Sequence, residues 1–351
     1  MCARRRPSPA DTGILTLVED LYAPVLAWYA AHARDLPWRR ADRSAWGVLV
    51  SEIMLQQTPV RRVLEPWRAW MTRWPAPAAL AAATAADAVV QWGRLGYPRR
   101  ALRLREAAVA IVGDHGGGVP DDVDALRALP GVGTYTAAAV AAFAYGKRVV
   151  VLDTNVRRVL ARAVGGEALP PPAPTADERQ RAEGLLPADP AESASWNAAV
   201  MELGALVCQA ATPLCADCPI HTSCAWVAAG QPPDAHAARR RAQPWAGTDR
   251  QVRGIIMAAL RARREASLAS LRPLWPDDAQ LDRAVASLVA DGLAERSPVS
   301  PDALRLPGIP ARRVPPGQPS DFASTYGRLT DPSFAPPEGS DPALDVPRNP
   351  L

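Results

Sequence analysis

Between Ile14 and Trp226 apolar residues recur at spacings of three and four, the pattern of helices that each bury one face. That pattern predicts helices over Leu15–Ala30, Trp46–Gln57, Asp87–Leu95, Ala101–Val112, Val123–Leu129, Thr134–Tyr145, Val156–Ala163 and Ser195–Val207. Pro75, Pro77, Gly116–Gly118 and Pro170–Pro172 stand between them as stops. Strand-like character is confined to one short run, Val149–Leu152. The expected fold class is all-α.

The pattern changes after Trp226. Residues 230–249, GQPPDAHAARRRAQPWAGTD, read as a linker. Helices follow near Gln251–Arg264 and Asp277–Asp291, with a short helix between them and Gly292–Leu306 as a two-stranded wing. This order resembles a winged helix. From about Pro307 the chain is rich in proline, glycine and charge, and disorder is expected. The division is then a flexible arm at 1–13, a helical domain at 14–229, the linker, a winged-helix-like unit at 250–306, and a disordered tail at 307–351.

Composition adds little beyond bounds. With 351 residues, 48% of them hydrophobic, the chain can bury the cores of two or three units. A net charge of +4 fits a nucleic-acid partner without requiring one. No run of about 18 apolar residues suggests a membrane span. The start, MCARRRPSPADTG, has a basic cluster but no apolar stretch after it, so it reads as an arm rather than an export signal. A cytoplasmic protein is expected.

Candidate chemistry is more telling. Cys208, Cys215, Cys218 and Cys224 are spaced C-x6-C-x2-C-x5-C, with Cys2 far away in the arm. With no sign of an oxidising compartment, metal ligation is favoured over disulfides. One close pair flanked by longer gaps suits an iron–sulfur cluster. Structural zinc is the alternative reading. His221 lies inside the run and reads as a bystander.

Glu52 sits inside the nearly apolar helix WGVLVSEIMLQQ. Burial would raise its pKa and keep it protonated near neutral pH, as a general acid requires. A surface glutamate with apolar neighbours is the alternative. Gln56 shares its helix face. The string LPGVGTYTAAAVAAFAYG reads as a helix, a tight hairpin at Pro130–Gly133, and a second helix from Thr134. Gly131 and Gly133 allow close backbone approach, and helix-start N–H groups there would grip a DNA phosphate. A generic helical corner is the plainer reading. Asp153 precedes the helix of VVVLDTNVRRVLAR; it is a natural N-cap and could also face a cation. Asn155 could orient a water. Arg157 and Arg158 suit either phosphate contact or a solvated face.

Six strings, LPWR, SEIMLQQTP, LGYPRRA, LPGVGTYTA, LDTNVRRVLAR and the cysteine run, occur here in the order in which they occur in endonuclease III-type DNA glycosylases. Across roughly residues 14–226 the chain resembles that superfamily, and within it the MutY-type adenine DNA glycosylases. The resemblance implies a helix–hairpin–helix glycosylase fold and a 4Fe-4S cluster on Cys208, Cys215, Cys218 and Cys224. It implies removal of adenine mispaired with 8-oxoguanine or guanine in double-stranded DNA. Glu52 matches the general acid that protonates adenine. Asp153 matches the carboxylate that stabilises the cationic sugar through a transient adduct. Tyr135 and Asn155 match groups orienting the carboxylates and water. Gln57 and Tyr97 match wedge residues that enter the base stack while adenine is extruded. Thr58 and Leu95 fall near the opposite base, and Trp38 and Arg39 line the adenine pocket.

Tyr135 stands where lyase relatives carry a lysine, so base removal without strand cleavage is expected, by a monomer acting at the nucleoid. Thr154 replaces a glycine common in relatives. Residues 250–306 lack the pattern of the Nudix-like β-module that relatives use to recognise 8-oxoguanine. Rival readings are a thymine or uracil mismatch glycosylase, a non-catalytic iron–sulfur DNA-binding protein, and a zinc-stabilised DNA module.

Overall fold

The computed structural model describes residues 9–239 and 246–309. The expected tail lies almost wholly outside the described residues, as does Cys2. Within the described residues the chain is helical apart from one small C-terminal sheet. No described helix is long and apolar enough to cross a membrane.

Helix α1 (Pro9–His32) starts inside the segment expected to be a free arm. Helix α2 (Ala45–Leu55) is capped by Ser44, whose Oγ accepts from the Gly47 N–H at 3.0 Å. Its residues from Trp46 to Met54 are all buried, so α2 is the axis of the first core. Around it pack α3 (Val60–Arg73), α6 (Arg99–Asp114) and α8 (Thr134–Tyr145), with α4 (Pro77–Ala81), α5 (Ala85–Trp92) and α7 (Val123–Ala128) closing the rim. Trp70 is fully enclosed edge-on between Trp74 and Trp92, at centroid distances of 4.6 and 5.6 Å.

A second core joins α1 to α9 (Thr154–Ala163) and α11 (Pro190–Leu206), with α10 (Ala176–Gly184) at its edge. Helix α8 links the two cores. Its Ala137, Val140 and Ala141 face the first, while Ala138, Ala139 and Ala142 pack around Val151 on the way to the second. An alanine-rich helix suits this place, because small side chains let neighbours approach from all sides.

The cysteine run follows α11 and ends at α12 (Ala225–Ala228). After it come α13 (Asp249–Arg263), β1 (Glu265–Ser267), α14 (Leu268–Leu271), α15 (Asp278–Ala290), β2 (Glu295–Arg296) and β3 (Ala303–Arg305). The strands form an antiparallel sheet in the order β1-β3-β2, so the two expected wing strands belong to a three-stranded sheet that recruits β1 from before α14.

Four helices were not expected, the short α12 among them. Helix α3 contains Pro66, which reads as a stop, yet the buried Val63 and Trp70 hold it in place. Helix α4 follows Pro75 and has Pro77 at its own start, where a missing N–H costs nothing. Helix α10 is polar throughout but carries a Thr175–Glu178 capping box after the proline-rich stretch. Conversely, Val149–Leu152 is extended without being a strand. Its ladder partner is one side chain: the Val151 N–H donates to Asn197 Oδ1 at 3.3 Å and Asn197 Nδ2 donates to the Val149 carbonyl at 3.0 Å.

That amide fixes the segment leading directly into Asp153. Asn197→Ala leaves a buried N–H and carbonyl without partners and should cost roughly 1–3 kcal/mol of stability, read as a lowered urea midpoint at unchanged slope.

Candidate active site

Glu52, Tyr135 and Asp153 come from α2, from the first turn of α8, and from the N-cap of α9, and they meet where the two cores join. Glu52 is 5% exposed, and its Oε2 has no hydrogen-bond partner among the described residues. Burial pushes its pKa up to about 7. The Tyr135 hydroxyl and Arg39 oppose that rise, while the Asp153 carboxylate adds to it. Tyr135 itself is raised well above the usual phenol value, mainly by burial and then by the charge of Glu52.

Asp153 caps α9 through Oδ1, which accepts from the Val156 N–H at 2.6 Å. Its Oδ2 accepts from Asn155 Nδ2 at 2.7 Å. Burial leads and raises the pKa, with the Val156 N–H, Asn155 and Arg158 pulling against it. Arg158 Nη2 in turn donates to the Asn155 Oδ1 at 2.8 Å. Asn155 thereby links the Asp153 carboxylate to Arg158.

Arg157 and Arg158 are both buried, so neither meets phosphate at the surface nor forms a solvated face. Arg157 pairs with Glu178 at 2.8 Å. Arg158 also donates to the carbonyls of Gly204 and Cys208, at 2.7 and 2.6 Å, tying Asp153 to the start of the cysteine run. Gly204 is required there: a Cβ would stand 2.7 Å from Asn155 Cβ and 2.9 Å from its carbonyl oxygen.

Gln57 and Tyr97 are exposed and take φ of 54° and 45°, in the left-handed region that non-glycine residues avoid. Such strain concentrates at sites where function holds it. Thr58 and Leu95, expected beside the opposite base, are instead buried at 6% and 3% exposure. They form the floor between the two exposed residues, with Thr58 Oγ1 facing the Leu95 carbonyl at 3.5 Å. Behind them lies Arg100, which sequence reasoning missed although it is part of LGYPRRA. Its Nη1 donates to the carbonyls of Ile53, Met54 and Gln56, and its Nη2 to Thr58 Oγ1 and the carbonyl of Gly96. Burial holds its pKa down at about 10. One guanidinium thus braces both exposed turns and the end of the helix carrying Glu52.

Trp38 belongs to the first core, edge-on to Trp67, and so packs rather than lining an open pocket. Arg39 does approach the site, donating to Glu202 Oε2 at 2.8 Å. Glu202 was also missed. It is completely buried on α11 and is held by Arg34 as well. Burial favours a raised pKa there, but Arg34 and Arg39 outweigh it and hold the carboxyl below its ordinary value.

In the hairpin, Gly131 has φ 78° and a Cβ there would meet Arg103 Cβ at 2.7 Å. Gly133 is the N-cap of α8 and supplies no side-chain cap. Gln56 Nε2 reaches the Gly131 carbonyl at 3.5 Å and Thr136 Oγ1 at 3.3 Å, joining hairpin to α2. Lys147, at the far end of α8, is paired with Asp121 at 2.7 Å.

Cys208, Cys215, Cys218 and Cys224 are free thiols that line one pocket together with Arg162, His221 and Trp226. Arg162 Nη1 donates to Cys208 Sγ at 3.3 Å, and Gln231 Nε2 to Cys215 Sγ at 3.5 Å. Among the described residues no three His, Cys, Asp or Glu side chains converge closely enough to hold a single metal ion.

Comparison with known proteins accords with this geometry. Residues 50–183 match the HhH-GPD superfamily base excision DNA repair proteins. The adenine DNA glycosylase of Mycobacterium tuberculosis is 50% identical over 294 residues, spanning 83% of this chain and 94% of its own. The chain belongs to the adenine DNA glycosylase family. Among solved structures, a thermostable thymine-DNA glycosylase superposes with a TM-score of 0.56 at 27% identity, over 61% of this chain and 98% of that one. An endonuclease III in non-covalent complex with DNA gives a TM-score of 0.52 at 20% identity, over 62% and 97%, and shares the fold. This adenine DNA glycosylase family member therefore has the helical fold of that superfamily.

The raised pKa of Glu52 makes a stability prediction. A carboxyl whose folded pKa lies above its unfolded value adds stability below the unfolded pKa, and loses it as pH rises through the folded one. Replacing Glu52 by Gln should therefore stabilise the protein at pH 8 by up to about 3 kcal/mol, from the difference between about 7 and the usual 4.5. The gain should shrink steadily towards pH 4.5 in urea titrations.

Proposed function

We propose that this chain extrudes adenine mispaired with 8-oxoguanine or guanine from duplex DNA and hydrolyses its glycosidic bond, leaving the strand intact. The observation that carries this reading is Glu52, a carboxyl kept protonated near neutral pH by burial, facing a second carboxylate, Asp153. Two carboxyl groups in different environments divide the labour of glycosidic cleavage. Glu52 donates its proton to the departing purine. Asp153, held by the Val156 N–H and Asn155, stabilises the cationic sugar. Tyr135 orients Glu52 and cannot form a Schiff base, and Lys147 is too far along α8 to replace a lyase lysine. Gln57 and Tyr97 fill the gap left in the stack, while the uncapped α8 start at Gly131–Gly133 takes a backbone phosphate. Arg39, held by Glu202, sets its charge beside Glu52.

The four thiols line one pocket, and their spacing of one close pair flanked by longer gaps suits a 4Fe-4S cluster better than zinc. Bound there, the cluster would cross-link the loop between α11 and α12. Arg162 and Arg158 would then tie that loop to α9. The C-terminal order of helix, strand, helices and paired strands supports a winged-helix-like unit in place of a Nudix-like module.

Single-turnover assays on duplexes with adenine opposite 8-oxoguanine, guanine or thymine, read with and without hot alkali, test the activity. Alkali-dependent cleavage at mispaired adenine is expected, and the ranking of rates reads whether the C-terminal unit senses 8-oxoguanine. Glu52→Gln should lose about 10²–10⁴-fold. With Glu52 as acid, the rate should fall tenfold per unit above about pH 7. Silence on all three duplexes would redirect the assignment to thymine mispairs.

For the cluster, purified protein should be brown and carry about four irons and four sulfides per chain. Cys218→Ser should lose both colour and iron; stoichiometric zinc instead would refute the cluster.

A further inference from the structure

The C-terminal unit shares its core with the helical body. Ala86 and Val89 of α5 lie among Val252, Ile256 and Leu304. The Ala86 N–H donates to the Pro307 carbonyl at 3.0 Å, and Arg264 reaches Asp87 at 3.0 Å. Arg99, at the start of α6, reaches Asp291 at 3.3 Å. Helix α5 runs directly into the loop ending at Tyr97, where Gly93, Gly96 and Tyr97 all have positive φ. The unit therefore braces the helix that feeds one of the two strained, exposed turns of the active face.

It also reaches that turn itself. Arg250, exposed in the first turn of α13, places its guanidinium carbon 4.7 Å from the centre of the Tyr97 ring. Arg100 stands 5.6 Å from the same ring, so one guanidinium comes from each part of the molecule. A cation at that distance from an aromatic ring is attracted to its face and restricts its rotation. Further along the seam, Arg261 of α13 lies within the field of Arg94 on the same loop. Like charges held together in the free protein are relieved by a polyanion. Ring orientation, strain and concentrated positive charge thus converge on one edge, built jointly by α13 and the α5–α6 loop.

We propose that the C-terminal unit is part of the DNA grip, with Arg250 as a positioning residue that holds the Tyr97 ring in its wedge geometry and sets a cation against the phosphodiester backbone beside it. This rests on the reading of Tyr97 as a wedge. The unit then acts on DNA through the edge of its first helix, where α13 meets the wedge loop. Its α15, which exposes Asp278 and Asp282, is poorly suited to a phosphate backbone.

The test uses the full chain carrying Glu52→Gln, so that the duplex survives. The probe is a duplex with adenine opposite 8-oxoguanine and 2-aminopurine beside that adenine, whose fluorescence rises when the stack is opened. Tyr97→Ala should abolish the rise at saturating protein. Arg250→Met, which keeps the chain length without the charge, should weaken binding at least fivefold. It should also reduce the slope of log affinity against log salt by about one and diminish the fluorescence rise. Arg250→Lys should restore the slope. Arg250 is exposed, so these variants keep the fold. A parental value of either slope or fluorescence in Arg250→Met, with Tyr97→Ala still silent, overturns the proposal and leaves the wedge reading standing. An undiminished signal in Tyr97→Ala overturns the wedge reading and this proposal with it.

Discussion

The site depends on one unfavourable burial. Helix α2 is enclosed from Trp46 to Met54, and Glu52 goes into the core with it, one carboxyl oxygen lacking any partner among the described residues. A buried carboxylate without full hydrogen bonding is costly, and the group responds by holding its proton. Asp153 makes this stronger, since its charge in the same low-dielectric junction raises the Glu52 pKa further. The fold resists relaxation of this arrangement because each group is anchored on a different element. Glu52 cannot turn outward without unpacking α2, and Asp153 cannot leave without uncapping α9.

Arginine is the material that holds the surrounding turns. Backbone carbonyls at the end of α2, at the Gly96 turn and at the end of α11 take side-chain donors. Arg100 and Arg158 reach them with donors fixed in one planar fork. Lysine could satisfy one such carbonyl as a point charge but not several in different directions. The same geometry explains the close packing nearby: Gly204 lets α11 approach Asn155 closely enough for a single guanidinium to touch Asn155, Gly204 and Cys208. The cationic character of the chain is therefore partly internal, spent on architecture rather than on a DNA-facing surface.

Much of this was legible in the sequence. The apolar periodicity located α2, α8, α9 and α11, because each carries a run of buried apolar residues at helical spacing. Glu52 was legible for the same reason: a lone carboxylate interrupts an apolar helix. The identical signal in VMELGALV marks Glu202, but that residue was passed over, since its partners Arg34 and Arg39 lie more than 160 residues away in the chain. Long-range ion pairs leave no local pattern. Arg157 and Arg158 were misjudged because arginines on a short helix read as surface, whereas Glu178 and three oxygens supplied by Asn155, Gly204 and Cys208 pull them inside. Helices α3 and α10 hid behind prolines and polar runs, which mark stops only when no tertiary contact or cap overrides them. Val149–Leu152 kept the composition of a strand, but the fold provides an asparagine side chain where a neighbouring strand would have stood.

The seam with the C-terminal unit changes what that unit can contribute. A module on a flexible tether pays ordering entropy each time it engages a ligand together with its partner. Here Ala86 and Val89 lie inside the unit's own core, so its placement against α5 is settled on folding. Whatever charge it adds to the face around Tyr97 acts without a linker term. The consequence runs in both directions. A change in α5 alters the unit's packing, and a change in α13 is felt at a loop whose residues already occupy strained backbone. A turn under strain is the element most easily shifted by a neighbour, because its competing conformations lie close in energy. The unit is thus positioned to set the wedge, even though no residue of Glu52's immediate surroundings comes from it.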